Sequence, residues 1–269
     1  MKNSNPQPFE VYAIRYAIQK TRTAGRNFMH TDSPKAIMPI DFFIWLLKRK
    51  NEIYVVDTGF NKKTAKERKI TLLCNPVEEL AKLKVDSKKV KNVIITHMHY
   101  DHIGNLDLFP KAQFHLQDIE MSFATGRHMS NKLFRRPYDV GHIKGMIQCV
   151  YEERVRFHNG DEILSQGLSL HHVGGHTKGL QFVRVFTARG WVVLASDACH
   201  LYANIEQKNP FPVVYNVEEM LKGHRKLRQY ADSKHHIVPG HDPLVMERYE
   251  SPAKELKGIV VQLDKEPKK

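Results

Sequence analysis

The chain has 269 residues, with 42 lysines and arginines against 29 aspartates and glutamates, a formal charge of +13, 41% hydrophobic and 26% charged residues. That balance excludes a chain disordered by composition and leaves ample length for a buried core. The cationic surplus falls in short lysine-bearing groups at 48–50, 62–69, 82–91 and the chain end. No aromatics are interleaved with them, so they read as solvated surface, and no nucleic-acid partner is expected.

Cys74, Cys149 and Cys199 form no Cys-x-x-Cys pair, which fits reduced thiols. Residues 1–9 are polar and proline-bearing without the apolar centre of a signal peptide, and no run approaches the length of a membrane span. A cytoplasmic location without membrane association is expected.

In chain order, residues 9–18 alternate and carry branched and aromatic side chains, which predicts a strand. Residues 20–39, with Gly25, Pro34 and Pro39, form a loop long enough to suggest function, over an active site or against a second copy in a homodimer. Apolar runs at 42–47 and 52–57 predict a hairpin. Residues 61–70 are charged and read as a short helix or loop. Asn75-Pro76 opens a helix, since proline suits the first helical turn. Strands follow at 91–96 and 112–116. Residues 117–150 read as helical with breaks at Gly126, Pro137, Gly141 and Gly145. Residues 168–173, 180–187 and 191–196 predict three strands, 216–231 an amphipathic helix capped by Asn216, and 235–239 a last short strand. The charged tail, 251–269, is expected to fray. The pattern predicts one α/β domain over 1–269, two mixed sheets packed together with helices outside.

Residues 96–102 read Thr-His-Met-His-Tyr-Asp-His and follow an apolar strand. Extended backbone would place His97, His99 and Asp101 on one side, and His102 adds a fourth group. Imidazoles and a carboxylate at this density suit a borderline metal such as zinc. Three further candidates stand at expected strand ends: His176 in Gly-Gly-His-Thr-Lys-Gly, Asp197 in Leu-Ala-Ser-Asp-Ala, and His241 in Pro-Gly-His-Asp. A carboxylate such as Asp197 can use both oxygens to bridge two metals about 3.5–4 Å apart.

His-x-His-x-Asp-His, the glycine-flanked His176, the strand-end Asp197 and the late Gly-His resemble the metallo-β-lactamase superfamily, from 57 to 242. The resemblance implies a four-layered αβ/βα sandwich of two mixed β-sheets with external helices. It implies two divalent metal ions, zinc by expectation: one held by His97, His99, His176 and Asp197, the other by Asp101, His102, His241 and Asp197. Asp57 in Val-Val-Asp-Thr-Gly matches the family's buried aspartate that orients a ligand imidazole. Ser-Asp-Ala at 196–198, Gly-His-Thr-x-Gly at 175–179 and Pro-Gly-His-Asp at 239–242 are similar to the N-acyl homoserine lactonases. A small-molecule lactone is therefore the expected substrate, opened by a metal-bridging hydroxide, with Asp101 delivering a proton to the leaving alkoxide. Where some of these lactonases carry a substrate-touching tyrosine, this chain has His200, with Tyr202 two residues on; either can donate a hydrogen bond. Phe28, Met29, Met38, Phe42 and Trp45 are candidates to line an apolar acyl pocket, with core packing the alternative for Phe42 and Trp45.

A glyoxalase-II-like thioesterase would share the ligands, but the expected C-terminal helical region does not follow His241. A β-lactamase would replace the bridging aspartate with cysteine. The non-enzymatic alternative is a basic nucleic-acid-binding protein with structural zinc; structural sites are closed and often cysteine-rich, unlike this set.

Overall fold

The computed structural model describes residues 6–268. The reading of the first residues as lacking a signal-peptide centre falls partly on residues 1–5, outside the described residues. The chain opens with β1 (Glu10–Gln19), a loop, and the hairpin β2 (Ile40–Arg49) and β3 (Glu52–Val56). Then come α1 (Lys62–Arg68), β4 (Thr71–Leu72), α2 (Pro76–Lys82), β5 (Asn92–Ile94) and β6 (Gln113–Gln117). Helices α3 (Asp118–Thr125), α4 (Lys132–Arg135) and α5 (Val140–Tyr151) precede β7 (Val155–His158). The second half holds β8 (Glu162–Ser165), β9 (Leu168–His172), β10 (Gln181–Thr187) and β11 (Gly190–Ser196). It closes with α6 (Tyr202–Glu206), α7 (Val217–Tyr230), β12 (Ile237–Pro239), α8 (Leu244–Arg248) and β13 (Val260–Gln262).

Among the described residues the strands form two mixed sheets. One runs β13-β1-β2-β3-β5-β6-β7 with β4 also paired to β1, and the other runs β12-β11-β10-β9-β8. The first is antiparallel through β3 and parallel from β3 to β7; in the second only β11 and β12 run parallel.

Side-chain alternation builds the layers. On β2, Phe43, Trp45 and Leu47 point between the sheets to meet Leu170, Val183, Val185 and Leu194. Phe42, Ile44 and Leu46 point outward, into a core shared with Leu80 of α2, Phe123 of α3 and Ile143 of α5. Covered on both faces, β2 is a continuous apolar run from Phe42 to Leu47. On β11, Val192 and Leu194 face the first sheet, whereas Val193 and Ala195 pack with Leu227 of α7. The order is helix, sheet, sheet, helix: the expected four-layered αβ/βα sandwich.

Helix caps match the sequence. The Asn75 side chain accepts from the Val77 amide with Pro76 in the first turn, and Asn216 accepts from the Glu219 amide. Two expectations are corrected. Gly141 and Gly145 do not break the helical region but lie inside α5, where the Asp139 cap and the buried Ile143, Met146 and Cys149 outweigh a cost of about 1 kcal/mol per glycine. Through Lys268 the tail does not fray: β13 pairs with β1, and the Lys268 amide donates to the Arg248 carbonyl at 2.7 Å. Edge strands β7 and β8 escaped the sequence reading because each is four residues long and largely uncovered, too short for its pattern to stand out. Among the described residues no helix is long and apolar enough to cross a membrane.

Candidate metal centre

Strands β3, β5, β9, β11 and β12 all deliver their C-terminal ends to one rim of the sandwich. Asp57 follows β3, His97 to His102 follow β5, His176 sits in the turn after β9, Asp197 closes β11 and His241 follows β12. All seven of the expected metal ligands are buried. One ligand atom each from His97, His99, His176 and Asp197 falls within 4.8 Å of the others, as do those from Asp101, His102 and His241. The strand-alternation expectation is corrected for Asp101. The strand β5 ends at Ile94, and the His102 amide donates to the His99 carbonyl at 3.1 Å, closing a turn that sends Asp101 to the second group.

Asp197 stands between the groups. Its Oδ2 lies 3.1 Å from His176 Nε2 and 3.7 Å from His97 Nε2, while its Oδ1 lies 3.1 Å from His241 Nε2 and 3.4 Å from His102 Nε2. Asp101 Oδ2 is 3.7 Å from His102 Nε2 and 3.8 Å from His241 Nε2.

The outer ring nitrogens are held by the fold. His102 Nδ1 meets Asp57 Oδ2 at 2.7 Å, His176 Nδ1 the Val213 carbonyl at 2.6 Å, and His241 Nδ1 the Asp41 carbonyl at 2.8 Å. Each partner accepts a hydrogen bond, so Nδ1 carries a proton and Nε2 is the nitrogen turned inward, where a metal would take its lone pair. Thr96 is the hub behind them. Its amide donates to Asp57 Oδ1 at 2.8 Å, its hydroxyl donates to Asp57 Oδ2 at 2.8 Å, and it accepts from the Ser196 hydroxyl at 2.9 Å. Asp57 and Ser196 hold φ of 62° and 46°, left-handed backbone unusual for such residues and found where a site over-determines it.

These donors fit a metal. His97 Nε2 and His176 Nε2 both lie 2.9 Å from His99 Nδ1, which can give at most one proton to the two of them. Buried His102 Nε2 has no hydrogen-bond partner among the described residues. Burial, then the neighbouring imidazoles, holds His97 and His99 well below the usual histidine range, so both stay neutral. Burial would raise Asp197, but the surrounding histidines outweigh it and keep the carboxylate ionised. Inward lone pairs around an ionised carboxylate are the donor set for divalent cations.

Two glycines are required here. A Cβ on Gly179 would stand 2.3 Å from Glu120 Cβ. Buried Glu120 accepts from the Gly179 amide at 2.9 Å, the Met98 amide at 3.0 Å and the Tyr138 hydroxyl at 3.2 Å, joining both ligand loops. Gly175 has φ of +86° and no room for a Cβ against the Met220 amide.

The centre opens into a cavity of about 400 Å³. His99, Asp101, His176, Asp197, His200 and His241 line it, with Phe42, Phe134, Tyr138, Phe211 and Tyr215 above. His200 therefore stands where its sequence position suggested. Its Nε2 is 2.9 Å from Asp197 Oδ2, its ring stacks on Phe211 at 3.6 Å, and burial lowers its pKa to about 3. Tyr202 is a correction. It does not line the cavity; its ring is buried in the core between the sheets beneath the Arg248 guanidinium, because α6 begins there and turns it away. Phe28, Met29 and Met38 do not line the cavity either, and Trp45 is in the inter-sheet core; of the expected acyl-pocket residues Phe42 alone reaches it. The sequence reading missed Thr96, Glu120 and the arginines Arg22, Arg26, Arg68 and Arg136, which also line the cavity. Two of those arginines lie in the 20–39 loop, whose length was the one available signal.

Comparison with known proteins agrees with this geometry. The model of the metallo-beta-lactamase superfamily matches residues 43–241. The chain is 27% identical over 171 residues to the N-acyl homoserine lactonase AttM of Agrobacterium fabrum, covering 62% of this chain and 64% of that protein. It is 28% identical over 180 residues to the N-acyl homoserine lactonase AiiB of Rhizobium rhizogenes, covering 63% of each. The match thus spans less than two thirds of the length of these curated relatives. A crystal structure of a quorum-quenching N-acyl homoserine lactone lactonase is similar with a TM-score of 0.74 and 20% identity, over 90% of this chain and 95% of that one. At that identity the likeness speaks for the fold alone. With buried His and Asp groups that could hold metal ions at the strand ends and a family match across most of its length, the chain belongs to the metallo-β-lactamase superfamily.

Proposed function

We propose that this protein opens the ring of a lactone at a dinuclear centre, zinc by preference, with N-acyl homoserine lactones the first substrates to try. The observation that carries the dinuclear reading is Asp197, whose two oxygens face separate imidazole sets. The curated lactonases among its relatives support the choice of lactone. A pair of divalent ions held there would polarise an acyl carbonyl and lower the pKa of water, which makes a serine or cysteine nucleophile unnecessary.

The chain's own groups supply the rest. Water oxygen bonds the acyl carbon, the ring acyl–oxygen bond breaks, the alkoxide takes one proton and the new carboxylic acid releases one. Asp101 lies beside His102 and His241 on the cavity wall and would carry the proton to the alkoxide. His200 on the cavity wall would donate from Nε2 to Asp197 Oδ2, 2.9 Å away, and steady that carboxylate between the two groups. Phe42, Phe211 and Tyr215 pack against the apolar part of the ligand and exclude water.

The test is proton release from a panel of lactones, short- and long-chain N-acyl homoserine lactones included, before and after metal removal. Opening that is lost on chelation and restored by metal supports the reading. A metal-loaded protein that opens none of them overturns it.

A further inference from the structure

The cavity carries a feature that a neutral substrate leaves unused. Arg22, Arg26, Arg68 and Arg136 line it together with His99, Asp197 and His241. Among the described residues none of the four forms an ion pair with a carboxylate. Arg22 is buried, with 8% of its surface exposed. All its hydrogen-bond partners are neutral: Nε donates to Asn27 Oδ1 at 2.5 Å, Nη1 to Gln19 Oε1 at 3.2 Å and Nη2 to the Arg26 carbonyl at 2.7 Å. Its guanidinium lies 4.7 Å from the centre of the Phe211 ring, which stacks on His200. Arg68 sits 3.6 Å over the Tyr100 ring and donates to the Arg136 carbonyl.

A buried cation without a counter-ion is costly unless an anion arrives to pair with it. Three neutral acceptors hold Arg22 in one orientation, so its free donors are pre-set. The exposed Arg26 and Arg136 stand close enough to Arg22 to push its pKa down, an effect second to burial, which brings it to about 10. The acids on the cavity wall, Asp101 and Asp197, already belong to the metal groups. What the arginines lack is a ligand anion, and guanidinium matches carboxylate or phosphate oxygens in paired hydrogen bonds.

We propose that Arg22, Arg26 and Arg136 form a subsite for an anionic group, carboxylate or phosphate, on the part of the substrate remote from the bond that is cleaved. The natural substrate of the lactonase proposed above is then an acidic lactone, not a neutral one. The inference rests on that reading for the reaction, and on the arginines alone for the anion.

The experiment compares γ-butyrolactone bearing a ring carboxylate with its methyl ester, and a lactone bearing a phosphate monoester with its neutral alcohol, on the metal-loaded protein. The acid-to-neutral ratio of kcat/KM is expected to be at least about tenfold, the scale of one charge-assisted hydrogen bond, and to shrink with added salt. Whichever pair gives the larger ratio names the anion. The ratio should collapse in Arg26→Gln and Arg136→Gln, exposed positions whose variants fold even if Arg22→Gln does not. Binding of glutarate and of butyrate to the metal-loaded protein, measured by calorimetry, gives a readout free of turnover: glutarate should bind at least about tenfold tighter, and either variant should erase the difference. Failure to open any lactone, with the glutarate preference intact, sinks the lactonase reading and leaves the subsite standing. Opening of neutral lactones with acid-to-neutral ratios near unity and no glutarate preference overturns the subsite and leaves the lactonase.

Discussion

Asp57 Oδ2 lies 2.7 Å from His102 Nδ1, with both side chains buried and Thr96 donating twice to the same carboxylate. Burial alone would lower His102, but Asp57 and the carboxylates of Asp101 and Asp197 outweigh it and raise it well above the usual histidine range. With a metal at Nε2, the same contact keeps the proton on Nδ1. Asp57→Asn removes the charge and preserves the shape. It is expected to weaken metal affinity about ten- to a hundredfold, read by titration against a chelator, with the circular dichroism spectrum retained. Unchanged affinity would mean that Asp57 only shapes its turn.

His102→Ala and Asp197→Asn remove proposed ligands directly. Each should lose more than about a hundredfold in hydrolysis, beyond what an orienting residue is worth, while the sandwich stays folded. Full activity in either purified variant would falsify the dinuclear assignment, which metal analysis by mass spectrometry tests independently.

His200 and Tyr202 separate cleanly. Tyr202→Phe should leave kcat/KM unchanged, since the ring is in the core and its hydroxyl does not reach the cavity. His200→Ala should lower kcat/KM about ten- to a hundredfold, about 1.4–2.7 kcal/mol, because the ring steadies Asp197. The opposite order in steady-state kinetics would return the role to Tyr202.

Gly179→Ala drives a methyl group to 2.4 Å from the Glu120 amide nitrogen, and backbone cannot yield as a side-chain tip does. A loss of about 1–3 kcal/mol in urea unfolding is expected, with activity falling because Glu120 ties both ligand loops. Wild-type stability would show that the turn has slack which the close approach does not suggest.

His115 stacks on His158 at 5.3 Å, Nδ1 to Nε2 at 3.0 Å, and neither lines the cavity. Burial first, then His158 and Arg156, lowers its pKa to about 3. The folded state refuses a proton that the unfolded chain accepts below about pH 6.5. The stabilising contribution is therefore complete above that pH and is lost as pH falls from there through about 3. The urea midpoint should decline over this window, and His115→Gln should make the decline shallower; an unaltered slope would assign the acid sensitivity to other groups.

The histidine motif at 96–102, His176, Asp197 and His241 were legible because groups able to hold a metal must be particular residue types, and they recur here at expected strand ends. The apolar runs of β2 and β11 were legible because a strand covered on both faces has to be apolar throughout. Edge strands β7 and β8 and the pairing of β13 were not, since such strands need little more than a partner's free backbone.

Residue chemistry by itself therefore determined the candidate metal donors and the strands that carry them, and the motifs carried the resemblance to the superfamily, all of which depend on local pattern. Only the tertiary structure decided that Tyr202 faces the core, that Glu120 and Thr96 fasten the ligand loops, and that arginines from the 20–39 loop and from the α1 and α4 regions meet over one cavity. Those are relationships between segments far apart in the chain, and no local periodicity encodes which long-range neighbours a surface arginine or a buried glutamate will find.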